Sequence, residues 1–261
     1  MGALFEPPYT GEMANLSVAT YNIHKGFSRF NRRMVVHELR DRLRALNPDI
    51  VFLQEVQGLH LGHESRHMNW PAAPQHEFLA EAVWPDTAYT GHAIHEHGHH
   101  GNAILSRFPI VSRVQEDISA HRFERRGLLH CEISVPGQAL PVHCVCVHLG
   151  LTGRHRRQQF DMLVRSLRTR VPRDAPLIIG GDFNDWQNRA ARVLPHELDV
   201  HEAFETVGGS PARSFPSDWP MLRLDRIYVR GFMVTAAERH FGPPWSQISD
   251  HAALTARLNY A

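Results

Sequence analysis

The sequence predicts an α/β domain with many short strands and few helices. Three observations predict it. Short apolar runs bounded by Gly, Pro, Asn and Asp recur along nearly the whole chain. Two of these runs, DIVFLQ at 49–54 and PLIIG at 176–180, are continuous, as in strands covered on both faces. Two further stretches, 33–46 and the one after Gly153, carry apolar residues at helical spacing.

The elements follow in order. Residues 1–15 read as a loosely ordered lead-in, and 16–261 as a single domain. Residues 16–22 alternate apolar with small or polar, as a half-buried strand does. Val35, Val36, Leu39, Leu43 and Leu46 share one helical face, and Asn47-Pro48 ends that helix. The buried run 49–54 comes next, and 58–75 reads as a loop. A short helix over 77–84 leads to strands at 88–94, 103–106, 110–118, 128–135 and 140–148, separated by turn residues such as Pro109 and Pro136-Gly137. Phe160, Leu163, Val164, Leu167 and Val171 mark the second amphipathic helix. After the buried run 176–180, a Gly/Pro/Ser loop at 208–220 precedes strands at 224–229, 232–241 and 252–258.

Composition narrows the function. The chain has 261 residues, 43% of them hydrophobic and 21% charged, which excludes a disordered or collagenous protein. Lys25 is its sole lysine, and the formal charge of +1 argues against a polyanion-coating protein. The first ten residues lack a basic start followed by an apolar run, and no apolar stretch approaches the roughly 20 residues of a membrane helix. The three cysteines, Cys131, Cys144 and Cys146, sit in apolar runs and read as buried, reduced thiols. A cytoplasmic monomer is expected. The conspicuous number is 20 histidines.

Polar residues interrupt the apolar runs at particular places. Asn22, Glu55 and His148 each end a strand. Asp182 and Asn184 follow PLIIGG, Asp225 opens an arginine-flanked strand, and Ser249-Asp250-His251 opens the last one. Side chains at neighbouring strand ends converge. Their carboxylate and amide oxygens suit a hard cation such as Mg²⁺ or Mn²⁺, and imidazoles beside them suit proton transfer and charge stabilisation.

With these residues in view, the sequence resembles the endonuclease/exonuclease/phosphatase superfamily, which shares the deoxyribonuclease I fold. The resemblance rests on seven segments in the family's order: TYN at 20–22, LQE at 53–55, GNAILS at 101–106, VHL at 147–149, GGDFN at 180–184, RLDRI at 223–227 and SDH at 249–251. It is greatest to small stand-alone bacterial members, whose SFPS segment at 214–217 and RLDRIYV segment at 223–229 the chain shares. The resemblance implies a four-layer α/β/β/α sandwich with two central mixed sheets, and Mg²⁺- or Mn²⁺-dependent hydrolysis of a phosphodiester by in-line water attack. It implies that Glu55 is the main metal carboxylate, helped by Asn22 and Asp250. It further implies that Asp182 positions or deprotonates the attacking water, that Asn184 contacts the scissile phosphate, that His251, oriented by Asp225, stabilises developing charge, and that His148 acts near the leaving group. Relatives act on nucleic acids, phosphoinositides, sphingomyelin and membrane-anchor lipids, so a nucleic acid, a phospholipid head group and a small phosphodiester are all candidate substrates.

Plainer readings stand beside these. An Asp before a turn is commonly an Asx-turn residue, Asp225 between two arginines could be an ion pair, and a lone His at a strand end is often only a satisfied polar group. Asn102 and the arginines Arg154, Arg156 and Arg157 are weaker substrate-binding candidates, the arginines reading equally as a solvated helix face, and the cluster Arg122, Arg125 and Arg126 carries no assignment. The HESRH segment at 63–67 matches the zinc-protease pattern, but Gly62 and Pro71 and the lack of apolar periodicity argue against a helix there. His92, His95, His97, His99 and His100 read as a loop bordering the site, solvated or metal-binding. The alternatives are a phosphomonoesterase on an inositol or lipid phosphate, a DNA or RNA nuclease, and a His-rich or catalytically silent binding module.

Overall fold

A computed structural model describes residues 15–29, 32–60, 69–95, 98–121 and 124–261. Twelve strands form two six-stranded sheets. In chain order they are β1 (Asn15–Asn22), β2 (Ile50–His60), β3 (Asp86–His95), β4 (Gly98–Ser106), β5 (Ile110–Asp117), β6 (Gly127–Ile133), β7 (Val142–His148), β8 (Leu177–Asp182), β9 (His201–Glu202), β10 (Asp225–Arg230), β11 (Phe232–His240) and β12 (Ala253–Tyr260). The first sheet runs β11-β12-β1-β2-β4-β3 and the second β5-β6-β7-β8-β10-β9. Both are mixed: β1 pairs parallel with β2 and β7 parallel with β8, and the other pairings are antiparallel.

Three apolar clusters make four layers. Helices α1 (Val36–Leu46) and α2 (Gln75–Ala80) cover the outer face of the first sheet through Val36, Leu39, Leu43 and Leu79. Leu16, Val18, Phe52 and Ile104 from that sheet meet Leu129, Cys144, Ile178 and Ile227 from the other. Helices α3 (Gly153–Arg170) and α4 (Ala190–Leu198) cover the far face through Phe160, Leu163, Leu167 and Leu194. A short helix, α5 (Ala203–Gly208), packs near β11. This is the expected α/β/β/α sandwich.

Strand alternation places the chemistry. On β1 the residues facing the second sheet are Leu16 and Val18, so the same parity carries Thr20 and Asn22. On β8 it carries Ile178, Gly180 and Asp182, on β7 Val142, Cys144, Cys146 and His148, and on β10 Asp225, Ile227 and Val229. The inter-sheet core therefore turns polar at one end of the sandwich. Gly180 lets the sheets approach: a Cβ there would lie 2.8 Å from the Phe52 ring.

The structure corrects several expectations. The strand begun at 49–54 extends to His60, because β4 pairs with it as far as Gly98. His92 and His95 lie in β3 and His99 and His100 in β4, paired strands rather than a loop. The His99 ring sits over Gly58 and Gly91, where a Cβ would come within 2.0 and 2.8 Å of it, and its Nδ1 lies 2.8 Å from the Tyr89 hydroxyl. The His92 ring lies against Gly127. His97, Arg122 and the HESRH segment fall outside the described residues, as does nearly all of the lead-in. No element was expected between 185 and 207. There α4 buries Ala190, Leu194 and Leu198 at helical spacing despite Pro195 inside it. Among the described residues no helix is long and apolar enough to cross a membrane.

Candidate active site

Asp182 is the centre of the polar end. It ends β8, opposite His148 on β7 and Asp225 on β10, and is 1% exposed. Its Oδ1 accepts the Asn184 backbone N–H at 2.9 Å, which fixes the carboxylate as an Asx turn does. Its Oδ2 accepts the Asn22 amide at 3.1 Å and lies 3.5 Å from His148 Nε2 and 3.8 Å from His251 Nε2. One carboxylate oxygen thus faces an amide and two imidazoles.

The two imidazoles differ electrostatically. Burial drives the His148 pKa well below the ordinary value, and the nearby cationic Arg126 lowers it further, so this ring is neutral. Burial would do the same to His251, but Asp225 and then Asp182 outweigh it and raise its pKa, so His251 is a cation at neutral pH. Asp225 Oδ2 holds His251 Nδ1 at 2.8 Å, leaving Nε2 aimed toward Asp182. The Phe215 ring packs beside the imidazole at 5.1 Å. Burial raises the Asp182 pKa above the usual carboxylate range, against the opposing pull of His251.

Glu55 reaches the site by a backbone irregularity. The β2–β4 register shifts between Leu53 and Val56, and Glu55 has a φ of 56°. This bulge turns the side chain toward Asn22, whose amide lies 3.3 Å from Glu55 Oε1. Lys25 Nζ is 4.0 Å from Oε2. Asp250 lies 3.4 Å from His24 Nδ1, and its Oδ1 is buried without a hydrogen-bond partner, as is Oδ1 of Asp225. These are oxygen donors with free capacity and no thiolate among them, a set that fits a hard divalent cation. Ligand atoms of Asp182, Asp225 and His251 lie within 4.8 Å of one another and form a second grouping of metal-capable side chains.

The sequence-derived residues thus separate. Asn22, Glu55, His148, Asp182, Asp225 and His251 are linked by the contacts above. Asn184 is buried beside them, with its amide donating to Leu149 O at 2.9 Å. Asn102 is 1% exposed and spends its amide on the carbonyls of Gly127 and Cys146 in the other sheet, at 2.9 and 3.3 Å, as a brace between the sheets. Arg154 and Arg157 are exposed on α3.

Four residues take supporting roles that the sequence did not assign to them. Arg156 is 2% exposed, donates to the carbonyls of Gly150 and Leu151 at 3.1 and 2.6 Å, and lies 4.3 Å over the Trp186 ring. Gln159 accepts the Gly150 N–H at 2.7 Å. Both fix the turn after His148, and their helical i, i+3 spacing was the available signal. Arg126 donates Nε to Leu149 O at 3.2 Å and belongs to the site's positive rim. The Ser214 hydroxyl accepts the backbone N–H groups of Leu224 and Asp225, at 3.2 and 3.1 Å.

Comparison with known proteins places the chain in a family and agrees with the fold. The sequence matches the model of the Endonuclease/Exonuclease/phosphatase family over residues 19–251. It is 42% identical over 252 residues to "Uncharacterized protein YbhP" of Escherichia coli K12, spanning 97% of this chain and 99% of that one. An endonuclease/exonuclease/phosphatase from Beutenbergia cavernae has a similar structure, with TM-score 0.76, 21% identity, and coverage of 95% of this chain and 72% of that one. TDP2 of D. rerio, solved with a single-strand DNA product, superposes with TM-score 0.69 at 19% identity, covering 94% and 99% of the two chains. On the sequence match and the fold together, the chain belongs to the endonuclease/exonuclease/phosphatase family.

Proposed function

We propose that the chain is a Mg²⁺- or Mn²⁺-dependent phosphodiesterase acting by in-line attack of water. Family membership supports phosphate-ester hydrolysis as the general activity. The observation that carries the finer reading is the buried Asp182 carboxylate between a neutral and a cationic imidazole, at 3.5 and 3.8 Å. A carboxylate with a raised pKa works as a general base near neutral pH, so Asp182 aligns a water and takes its proton. His251, held as a cation by Asp225, donates to a phosphate oxygen as negative charge grows there. Neutral His148 contacts the phosphate or the leaving-group oxygen. Asn184 belongs to the same set. It would donate an amide N–H to the scissile phosphate, either the one not bonded to Leu149 O or that one after exchange.

Glu55, Asn22 and Asp250 would hold the divalent cation. When bound, the cation would supply a fixed positive charge that offsets the negative charge growing on the phosphate. The positive charge of His251 and the uncharged His148 match a diester monoanion, which needs fewer cations than a phosphomonoester dianion.

A turnover panel tests the assignment. Metal-stripped protein is assayed with added Mg²⁺ or Mn²⁺ on bis-p-nitrophenyl phosphate, p-nitrophenyl phosphate, single- and double-stranded DNA and phospholipids. Faster cleavage of diesters than of the monoester, restored by metal and lost in Glu55→Gln, is expected. Preference for the monoester would overturn the diesterase reading.

A further inference from the structure

Outside the catalytic cluster, a cavity of about 460 Å³ is lined by Arg213, Arg223 and Arg239 together with Phe204 and Phe241. Two of the guanidiniums are anchored, neither to a carboxylate, and Arg213 is exposed at the rim. Arg239 Nη1 donates to Arg213 O at 2.9 Å, and its guanidinium lies 4.3 Å over the Phe241 ring. Arg223 Nε donates to Pro211 O at 3.0 Å. Among the described residues none of the three has an acidic partner within ion-pair distance. Burial and then the neighbouring charge of Arg213 lower the Arg239 pKa.

Strand alternation explains the lack of a counter-charge. Ala237, Arg239 and Phe241 face this cavity, whereas Ala236, Glu238 and His240 line a groove on the opposite face of β11. The acid between the two arginine-side positions is therefore directed away. Guanidiniums gathered in one cavity repel one another unless an anion joins them, and their planar forks match phosphate oxygens.

We infer that this cavity is a second anion site, which takes a phosphate group other than the scissile one, with the two phenylalanine rings contacting the organic part attached to it. The site is coupled to the catalytic wall through short covalent paths. Arg223 precedes Asp225 by two residues, at most about 7 Å along the chain. Ser214, next to Arg213, accepts the N–H groups of Leu224 and Asp225 and also the Ala252 N–H, at 2.7 Å, through its carbonyl. That the bound phosphate belongs to a substrate rests on the phosphodiesterase reading. That the cavity binds phosphate does not.

The test is calorimetric titration of the Mg²⁺-loaded protein with inorganic phosphate at low ionic strength. The wild type is compared with Arg213→Gln/Arg239→Gln, with Arg239→Lys and with His251→Gln. The double variant is expected to lose one class of phosphate site, or to weaken it by about tenfold or more, with an unchanged melting temperature. Arg239→Lys is expected to keep it in large part, and His251→Gln to keep it fully. Phosphate binding by the folded double variant equal to wild type overturns the inference. A second arm separates the sources of phosphate. A raised KM for a 5′-phosphorylated dinucleotide, with bis-p-nitrophenyl phosphate kinetics unchanged, assigns the group to the substrate. Unchanged KM for both, with the binding loss retained, assigns it to free phosphate. If the protein hydrolyses neither compound, the titration alone decides the inference.

Discussion

Replacing Gly181 with alanine is expected to damage both the fold and the site, and the size of the effect follows from the coordinates. Gly181 sits in β8 between Gly180 and Asp182, opposite Val147 of β7. Its φ of +155° lies where L side chains are rarely found. An added Cβ would lie 2.0 Å from the Val147 carbonyl oxygen and 2.9 Å from its carbon. The obstacle is backbone, so one strand must shift by about an ångström to restore a normal contact. The next register pair is His148 with Asp182, so the shift falls on the 3.5 Å imidazole–carboxylate contact. Backbone strain of about 1–3 kcal/mol and overpacking of about 1–3 kcal/mol give a loss of roughly 2–6 kcal/mol. For a chain of this size that lowers Tm by on the order of 10 °C. Gly180→Ala provides the comparison: the nearest atoms its Cβ meets belong to the Phe52 side chain, from 2.8 Å, and a side chain can tilt where a backbone carbonyl cannot. Differential scanning calorimetry and diesterase turnover measure both effects. A Gly181→Ala protein with wild-type Tm and rate, or one more stable than Gly180→Ala, would refute the reasoning.

Two further predictions concern groups away from the catalytic carboxylate. Arg156→Met should lower stability by about 1–3 kcal/mol in urea denaturation, because the carbonyls of Gly150 and Leu151 lose their donor, and should reduce kcat more than it changes KM. The buried pair His130–His143, with Nε2 to Nδ1 at 2.9 Å, should make the protein acid-sensitive. Burial and the neighbouring His143 lower the His130 pKa to about 4, despite the opposing pull of Glu116; Arg170 and Arg230 also face the pair, with Glu132 beside His143. The unfolded chain then binds more protons between pH 4 and the ordinary histidine value. Stability contributed by the neutral ring is therefore complete above about pH 6.5 and falls by on the order of 3 kcal/mol as pH drops toward 4. Denaturation midpoints of wild type and His130→Gln across that range check it, and equal slopes for the two proteins would count against the pair.

Much of this architecture is legible in the sequence because strand period and strand end coincide. The alternation in 16–22 and the continuous runs 49–54 and 176–180 predict strands. The polar residue closing each run predicts what meets at the sheet edge. The residues left unread act through features that pattern does not encode. Glu55 reaches Asn22 only because a bulge breaks the period of β2. Asn102 looked like a ligand-facing amide in a strand motif, but inter-sheet packing turns it to the carbonyls of Gly127 and Cys146. Among the arginines after His148, helical phase buries Arg156 and exposes Arg154 and Arg157, a distinction that needs the helix's orientation. Pro195 concealed α4, whose apolar face outweighs the lost backbone donor. Among the described histidines several serve packing: His99 fills space left by two glycines, and His130 and His143 pair across β6 and β7.

The central claim is that Asp182, between His148 and His251, drives metal-assisted hydrolysis of a phosphodiester. The most direct test is the initial rate of bis-p-nitrophenyl phosphate hydrolysis by wild type and Asp182→Asn at pH 7.5, with Mn²⁺ and then with excess chelator. The account predicts metal-dependent turnover by wild type and a loss of kcat of about 10²–10⁴-fold in the folded variant. Hydrolysis by Asp182→Asn at the wild-type rate, or wild-type turnover that survives the chelator, would contradict it.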